Sequence, residues 1–411
     1  MTGMKNGSQV ALPLARGVGV ILLFLVGGRA FADTTPPARG WISIFNQDSS
    51  DFTIMHGDEK MNEAGVLEYL DEVIGNGAFT HFFISPNAQI AIFDSKTFSP
   101  SWWRFVSTDG KTERPLRAFS PADNCPRRDY MLHTNGVDIV QTYIRGCRAK
   151  GVSPWLSMRM NDGHCEGDPE WWGHSRFWVE HPEYRRYGGF NFSHPEVRAH
   201  HLAFVRELLD RYDVDGIECD WMRFPIQQRA VDLTETMRGI RQIATAAARR
   251  RGHGILVGVR VPTRPDMQLS RGFDPVTWAK EGLFDWLVPC NFHGSVDYDL
   301  PLVEWNRILK AVNRNVRVIP GADSGVWTLD EKTGKRSGRR MMTLGEYREW
   351  AYRMQSQGAE GVYLFNLFLY REPSYCAPSL EPWHMILKEG LSPAAIRGKE
   401  RSFPKGWVYE P

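Results

Sequence analysis

Residues 214–225 bring Glu218, Asp220 and Arg223 close together at what reads as the end of a β-strand. Side chains alternate along a strand, so Gly216, Glu218 and Asp220 share one face while Ile217, Cys219 and Trp221 share the other. Two acids cannot be buried against an apolar helix layer, so both must point to the inside of a sheet that helices cover from outside. Paired carboxyl groups break glycosidic bonds, one protonating the leaving oxygen while the other acts as nucleophile or activates water. Asp220, nearest the strand exit, is the expected catalytic residue. Asp323 is its expected partner, with Asp162 as the rival, although Gly321-Ala322-Asp323-Ser324-Gly325 also has the chemistry of a plain turn.

Other predicted strand ends carry Arg159, Asn161, Asp162, His164, Arg260, Asn291, His293 and Asn366, expected together with Arg223 to bind substrate. Leu156, Met158 and Met160 on one parity turn Arg159 and Asn161 inward, and Val257, Val259 and Val261 do the same for Arg260. This places Glu218 between two arginines, in an ionic cluster Arg159–Glu218–Arg260 that keeps the acid ionised. Glu218 then reads either as catalytic or as a strut that fixes strand register. Inward arginines also suit an anionic glycan, because guanidinium pairs well with carboxylate or sulfate. Trp171 and Trp172, with Trp102 and Trp103, offer flat faces for sugar rings, or equally form small satellite cores.

The elements that must position these residues follow a simple rhythm. After Pro36-Pro37, short apolar runs at residues 41–45, 79–84, 154–160, 214–220, 255–261, 286–291, 316–321 and 361–366 alternate with amphipathic helical stretches. Eight such rounds predict an α/β chain folded as a single (β/α)8 TIM barrel with long loops after strands two and three, residues 85–134 and 161–192. In such barrels the working residues gather at the C-terminal ends of the strands. Capping boxes are expected at Ser193-His194-Pro195-Glu196 and Thr343-Leu344-Gly345-Glu346.

The run Asp215-Gly216-Ile217-Glu218-Cys219-Asp220-Trp221 resembles the fourth-strand signature of (β/α)8 glycoside hydrolases, notably the Asp-Gly-x-Asp-x-Asp-x-Glu strand of the family-18 chitinases. Its continuation, Asp220-Trp221-Met222-Arg223-Phe224-Pro225, is similar to the Asp-Tyr-x-Arg-Tyr-Pro ending of the bacterial group called glycosyl hydrolase-like ten. The motif covers about a dozen residues. Met222 stands where the chitinases carry their catalytic Glu, so the substrate-assisted mechanism does not transfer.

Composition narrows the class further. The 411 residues carry a net charge of +2, without the basic density of a nucleic-acid binder. Residues 1–32 read as a signal peptide, with Lys5 and Arg16 ahead of the apolar run 18–26 and Ala30-Phe31-Ala32 as cleavage site. That run is shorter than the ~20 residues a spanning helix needs, so a secreted or periplasmic barrel over residues 33–411 is expected, without stable membrane insertion. Of the six cysteines, Cys219 and Cys290 read as buried thiols, and Cys125–Cys165 is the first pair to test for a disulfide. The function expected is hydrolysis of a polysaccharide or oligosaccharide, anionic ones included, with neither organic cofactor nor metal. Two alternatives stand beside it. One is a metal-assisted glycan hydrolase or deacetylase using Asp162 and His164 with His293 and Asp220, although no His-x-His or His-Glu-x-x-His spacing is present. The other is a non-catalytic carbohydrate-binding barrel.

Overall fold

Nine strand segments form one parallel sheet: β1 (Ile42–Gln47), β2 (His81–Ile84), β3 (Ser153–Arg159), β4 (Gly216–Asp220), β5 (Leu256–Val261), β6 (Trp286–Pro289), β7 (Arg317–Val318), β8 (Gly321–Ala322) and β9 (Gly361–Leu364). Their order is β8-β9-β1-β2-β3-β4-β5-β6-β7. This computed structural model describes residues 40–106, 124–224, 227–291, 296–330, 332–336, 338–372, 377 and 379–409. The leader expected at residues 1–32 and the candidate His293 lie outside them. Among the described residues no helix is long and apolar enough to cross a membrane.

The two ends of the sheet order are successive pieces of one stretch. Sequence alone predicts an unbroken strand at 316–321, but Pro320 has no N–H to give. The chain pairs first with β6, where the Ile319 N–H donates to the Leu287 carbonyl, and then with β9, where the Tyr363 N–H donates to the Pro320 carbonyl. The sheet therefore curls, with one face inside.

Alternation sorts the side chains as expected. Leu156, Met158, Ile217, Cys219, Val257 and Val259 join one large apolar cluster with helix residues such as Phe204, Leu208, Ile240 and Ala244. A separate inner cluster holds Ile42, Ile44, Phe83, Trp155, Trp286, Val288, Ile319, Tyr363 and Phe365. The N-terminal end of the interior is plugged by aromatic rings: Trp155 stacks on Phe83 at 4.8 Å and packs on Trp286 at 4.6 Å. Gly216 makes room for this plug, since a Cβ there would lie 2.5 Å from the Trp155 indole. Above it the interior turns polar, with Ser157, Glu218 and Gly258 in one row and Arg159, Asp220 and Arg260 in the next.

Helix ends are mixed. Thr343 and Glu346 form the expected capping box of helix Leu344–Ser356. The one expected at Ser193 is not formed. Helix Pro195–Arg211 starts after His194 with proline in its first turn, and the Ser193 hydroxyl instead donates to Asp232 at 2.9 Å. Cys125 is buried and Cys165 exposed, and the expected disulfide between them is not formed.

Candidate active site

Strand register decides which charges meet. Arg159, Asp220 and Arg260 are direct neighbours across β3, β4 and β5, which puts Glu218 one row lower than the expected ionic cluster requires. That cluster is not formed. Glu218 instead accepts hydrogen bonds from the hydroxyls of Ser157 at 2.7 Å and Tyr363 at 2.9 Å. Burial, and then the neighbouring Asp220 charge, push its carboxyl above the usual carboxylate range, against the weaker pull of Ser157 and Arg260. The expected ionised state is thus overturned, because Glu218 has hydroxyl partners where arginines were anticipated.

Asp220 takes the position between the arginines. One oxygen accepts from the Met222 backbone N–H at 2.9 Å; the other accepts from Arg260 at 3.1 Å and lies 3.6 Å from Arg223. Both guanidiniums stack over Phe365, at 3.6 Å for Arg260 and 4.3 Å for Arg223. Asp323 is equally enclosed: it accepts from the Ser324 backbone and hydroxyl, from Arg339 at 2.8 Å and from Asn366 at 3.4 Å.

A cavity of about 210 Å³ opens above this layer. Arg159, His164, Trp171, Trp172, Arg223 and Asn366 of the expected set line it, whereas Glu218, Asp220, Asp323, Asn161, Asp162, Arg260 and Asn291 do not. Asn161 is occupied elsewhere, bonding both backbone groups of Phe190 in the insertion after β3. The carbonyl of Asn291 accepts from Arg260, and its side chain bonds Thr263 and Tyr409. Asp162 pairs with Arg159 at 2.5 Å and with His164 at 2.8 Å. Trp171 packs on Trp172 at 5.2 Å, and Gly173 lets it lie flat against the chain, since a Cβ there would sit 2.2 Å from the indole. Trp102 is buried, stacked on His133 at 4.9 Å, and serves as local core. Trp103 lies apart, on a second cleft with Arg176 and His200.

The carboxyls on the cavity include two that sequence reasoning missed, Asp48 and Asp129. Asp48 follows β1 directly and is bound by Arg223 and, at 3.0 Å, by Arg159. Burial alone would raise its carboxyl, but Arg223, Arg159 and hydrogen bonds from Ser50 together hold it well below the usual range. Asp129 comes from helix Cys125–Thr134 in the insertion after β2. One of its oxygens accepts from the Ser101 hydroxyl at 2.6 Å, and the other is buried with no partner among the described residues. Burial pushes it up to about 8, with only the Ser101 bond opposing.

Asn366 adds a third sign of a ligand site. Its backbone sits in the left-handed region at φ 56, which costs a non-glycine residue about 1 kcal/mol or more. Its side-chain oxygen is buried and has no partner among the described residues. Buried polar atoms are nearly always satisfied, so an exception on a cavity marks a place for a bound group. Among the described residues no three His, Cys, Asp or Glu side chains converge as a metal site requires.

No family model matches the sequence, and no curated protein does. Several solved glycoside hydrolases are similar at low identity. Alpha-L-fucosidase isoenzyme 2 from Paenibacillus thiaminolyticus is 12% identical with a TM-score of 0.47, over 86% of this chain and 49% of that one. The glycoside hydrolase domain of PgaB (BpsB) from Bordetella bronchiseptica is 13% identical with a TM-score of 0.46, over 87% and 99%. A putative alpha-L-fucosidase from Bacteroides thetaiotaomicron is 12% identical with a TM-score of 0.46, over 92% and 99%. The chain spans about half the length of the first of these. At this distance the likeness establishes neither substrate nor mechanism.

Proposed function

We propose that the chain is a glycoside hydrolase in which Asp129 is the proton donor and Asp48 the partner carboxylate. The observation that carries this reading is one cavity with two carboxyls driven in opposite directions, Asp48 ionised by its arginines and Asp129 kept protonated by burial. Environments that push two carboxyls apart are how acid and base roles are assigned near neutral pH. The proton on Asp129 passes to the glycosidic oxygen, whose bond to the anomeric carbon breaks with its electron pair leaving on the departing sugar. Asp48, bound by two guanidiniums, is too weak a base to take a proton from water. Its part is to meet the positive charge that grows on the anomeric carbon; water then adds to that carbon and gives a proton to the Asp129 carboxylate, which restores the acid.

The curled sheet, on this reading, is a (β/α)8 barrel with β7 and β8 as halves of its seventh strand, and the cavity lies at the strands' C-terminal end as catalysis on that fold requires. Asp220 is assigned a positioning role: with Arg260 it fixes Arg223, which in turn holds Asp48. The substrate proposed is neutral. Arg159 is matched by Asp48 and Asp162, Arg223 by Asp48 and Asp220, and Arg260 by Asp220, so their charge is spent inside the protein. Export rests on the leader expected from residues 1–32.

The test is hydrolysis of neutral and acidic oligosaccharides by the wild type beside Asp129→Asn. Loss of activity by about 10²–10⁴-fold, with an unchanged fold, supports the assignment. An Asp129→Asn enzyme as fast as the wild type, or activity abolished by chelators, overturns it.

A further inference from the structure

The insertion after β3 ends in a tight hairpin whose tip carries an unusual residue. Two short antiparallel strands, Arg185–Arg186 and Gly189–Phe190, are joined by Tyr187 and Gly188, both in the left-handed region at φ 45 and φ 79. A two-residue turn with two positive φ values is ordinarily made by Asn-Gly or Asp-Gly, because a bulky side chain is strained there. Tyr187 stands at the first of them all the same. Packing within the chain does not offset the strain, since its side chain is 72% exposed, the highest value among the large apolar and aromatic side chains of the described residues. Exposure alone is common on a protein surface. An exposed aromatic ring on a strained backbone is not, and such outliers gather where a ligand is held.

The hairpin is fastened behind that ring. Arg185 lies 3.5 Å over the Trp178 ring and donates to the Trp178 and Val179 carbonyls at 2.8 and 3.1 Å, while the Trp178 indole N–H donates to the Gly188 carbonyl at 2.9 Å. With the Asn161 bonds to Phe190, these contacts fix the tip, so a molecule that meets it finds a face already in place. The tip also neighbours the cavity lining. A Cβ on Gly163 would lie 3.2 Å from the Phe224 ring and 3.6 Å from the Tyr187 carbonyl. The next residue, His164, lines the cavity, with its ring 4.7 Å from Phe224 and 6.0 Å from Trp171. Two hydrogen-bonding groups flank the tip, the Arg186 guanidinium 5.3 Å from the Tyr187 ring and the Glu166 carboxylate against Gly188.

We infer that Tyr187 is the platform of an outer saccharide subsite. A sugar of the chain whose other end enters the cavity stacks its C–H face on the exposed ring, and Arg186 and Glu166 bond its hydroxyls. An aromatic face between polar groups suits a pyranose, which is apolar on its faces and polar at its rim. This inference rests on the hydrolase reading for the class of ligand, but it is read by binding, which needs no turnover.

The experiment measures, by calorimetry, binding of cello-, xylo-, manno-, malto- and chito-oligosaccharides to Asp129→Asn, each as disaccharide and pentasaccharide, alone and with Tyr187→Gly or Tyr187→Phe added. Hydrolysis of the same compounds is followed with Asp129 intact. In a series that binds, the pentasaccharide is expected to bind more tightly than the disaccharide. Tyr187→Gly should cut that gain by about 3- to 10-fold, and Tyr187→Phe, which keeps the flat face, should retain most of it. Glycine relieves the left-handed strain, so Tyr187→Gly should melt at the same temperature or higher, which a ring with a purely structural role would not allow. No gain from length, a gain that survives Tyr187→Gly, a lower melting temperature, or loss of self-association with saccharide binding intact overturns the subsite; hydrolysis seen alongside leaves the hydrolase reading standing. Tyr187-dependent binding with no hydrolysis of any compound supports the subsite and overturns the hydrolase. Absence of both binding and hydrolysis overturns both.

Discussion

Acids crowd the C-terminal edge of the sheet in two groups that are held in different ways. Asp220 and Asp323, carried at strand ends, have both oxygens bonded, to Met222 and arginine in one case and to Ser324, Arg339 and Asn366 in the other. Asp129, carried by an insertion, has one hydroxyl partner and one bare oxygen on a cavity. A carboxylate saturated by its own protein can act on a substrate only through its charge, as Asp48 does at the cavity with both oxygens bonded, whereas an under-partnered one in a dry pocket keeps its proton available. The saturated group builds the floor, and the under-partnered group is where chemistry can start.

Substitutions can break that contrast. The largest effect expected is on turnover: Asp129→Asn should lower kcat/KM by about 10²–10⁴-fold while shifting unfolding free energy by no more than about 1 kcal/mol, read by kinetics and denaturant melts on the same sample. Asp220→Asn should do the reverse in stability. It leaves Arg260 buried without its carboxylate, and chemical denaturation should show a loss of ~3–5 kcal/mol. Equal destabilisation by the two variants would erase the distinction between floor and pocket.

Smaller effects sharpen it through pH. The Asp129 carboxyl is raised to about 8 in the folded state, so the stability and the activity its proton supplies are present in acid and lost as pH rises through about 8. The alkaline limb of kcat/KM should fall there. Asp48 is depressed, so its contribution is present above the usual carboxylate range and disappears only in strong acid. Glu218→Gln removes a second raised carboxyl and should flatten the loss of folding stability toward alkaline pH, with turnover near neutrality changed less than about tenfold. The smallest effect is expected from Asn366→Gly, where relief of the left-handed backbone is offset by loss of the bond to Asp323, so stability should change by no more than about 1 kcal/mol while sugar binding seen by calorimetry weakens.

The sequence made the strands legible where alternation is strong. Expected runs at 154–160, 255–261 and 361–366 became Ser153–Arg159, Leu256–Val261 and Gly361–Leu364, and parity placed Arg159 and Arg260 inside. Register was not legible, because the stagger between neighbouring strands depends on packing around the whole sheet. One row of stagger moved Asp220, rather than Glu218, between the arginines. Asp48 was missed because strand one was expected to end at residue 45, whereas β1 runs to Gln47 and delivers the acid to the cavity. Asp129 gave no signal at all. It lies on a helix inside a long insertion, and only tertiary contact with Ser101 brings it to the site.

The central claim is that Asp129 holds its proton at neutral pH beside an ionised Asp48. Carbon NMR titration of the aspartate side-chain carboxyls, with the Asp129 signal identified by its absence in Asp129→Asn, measures this directly. A transition near pH 8 for Asp129, with Asp48 unchanged down to strong acid, is the expected result. An Asp129 transition near pH 4, the ordinary aspartate range, would contradict the account.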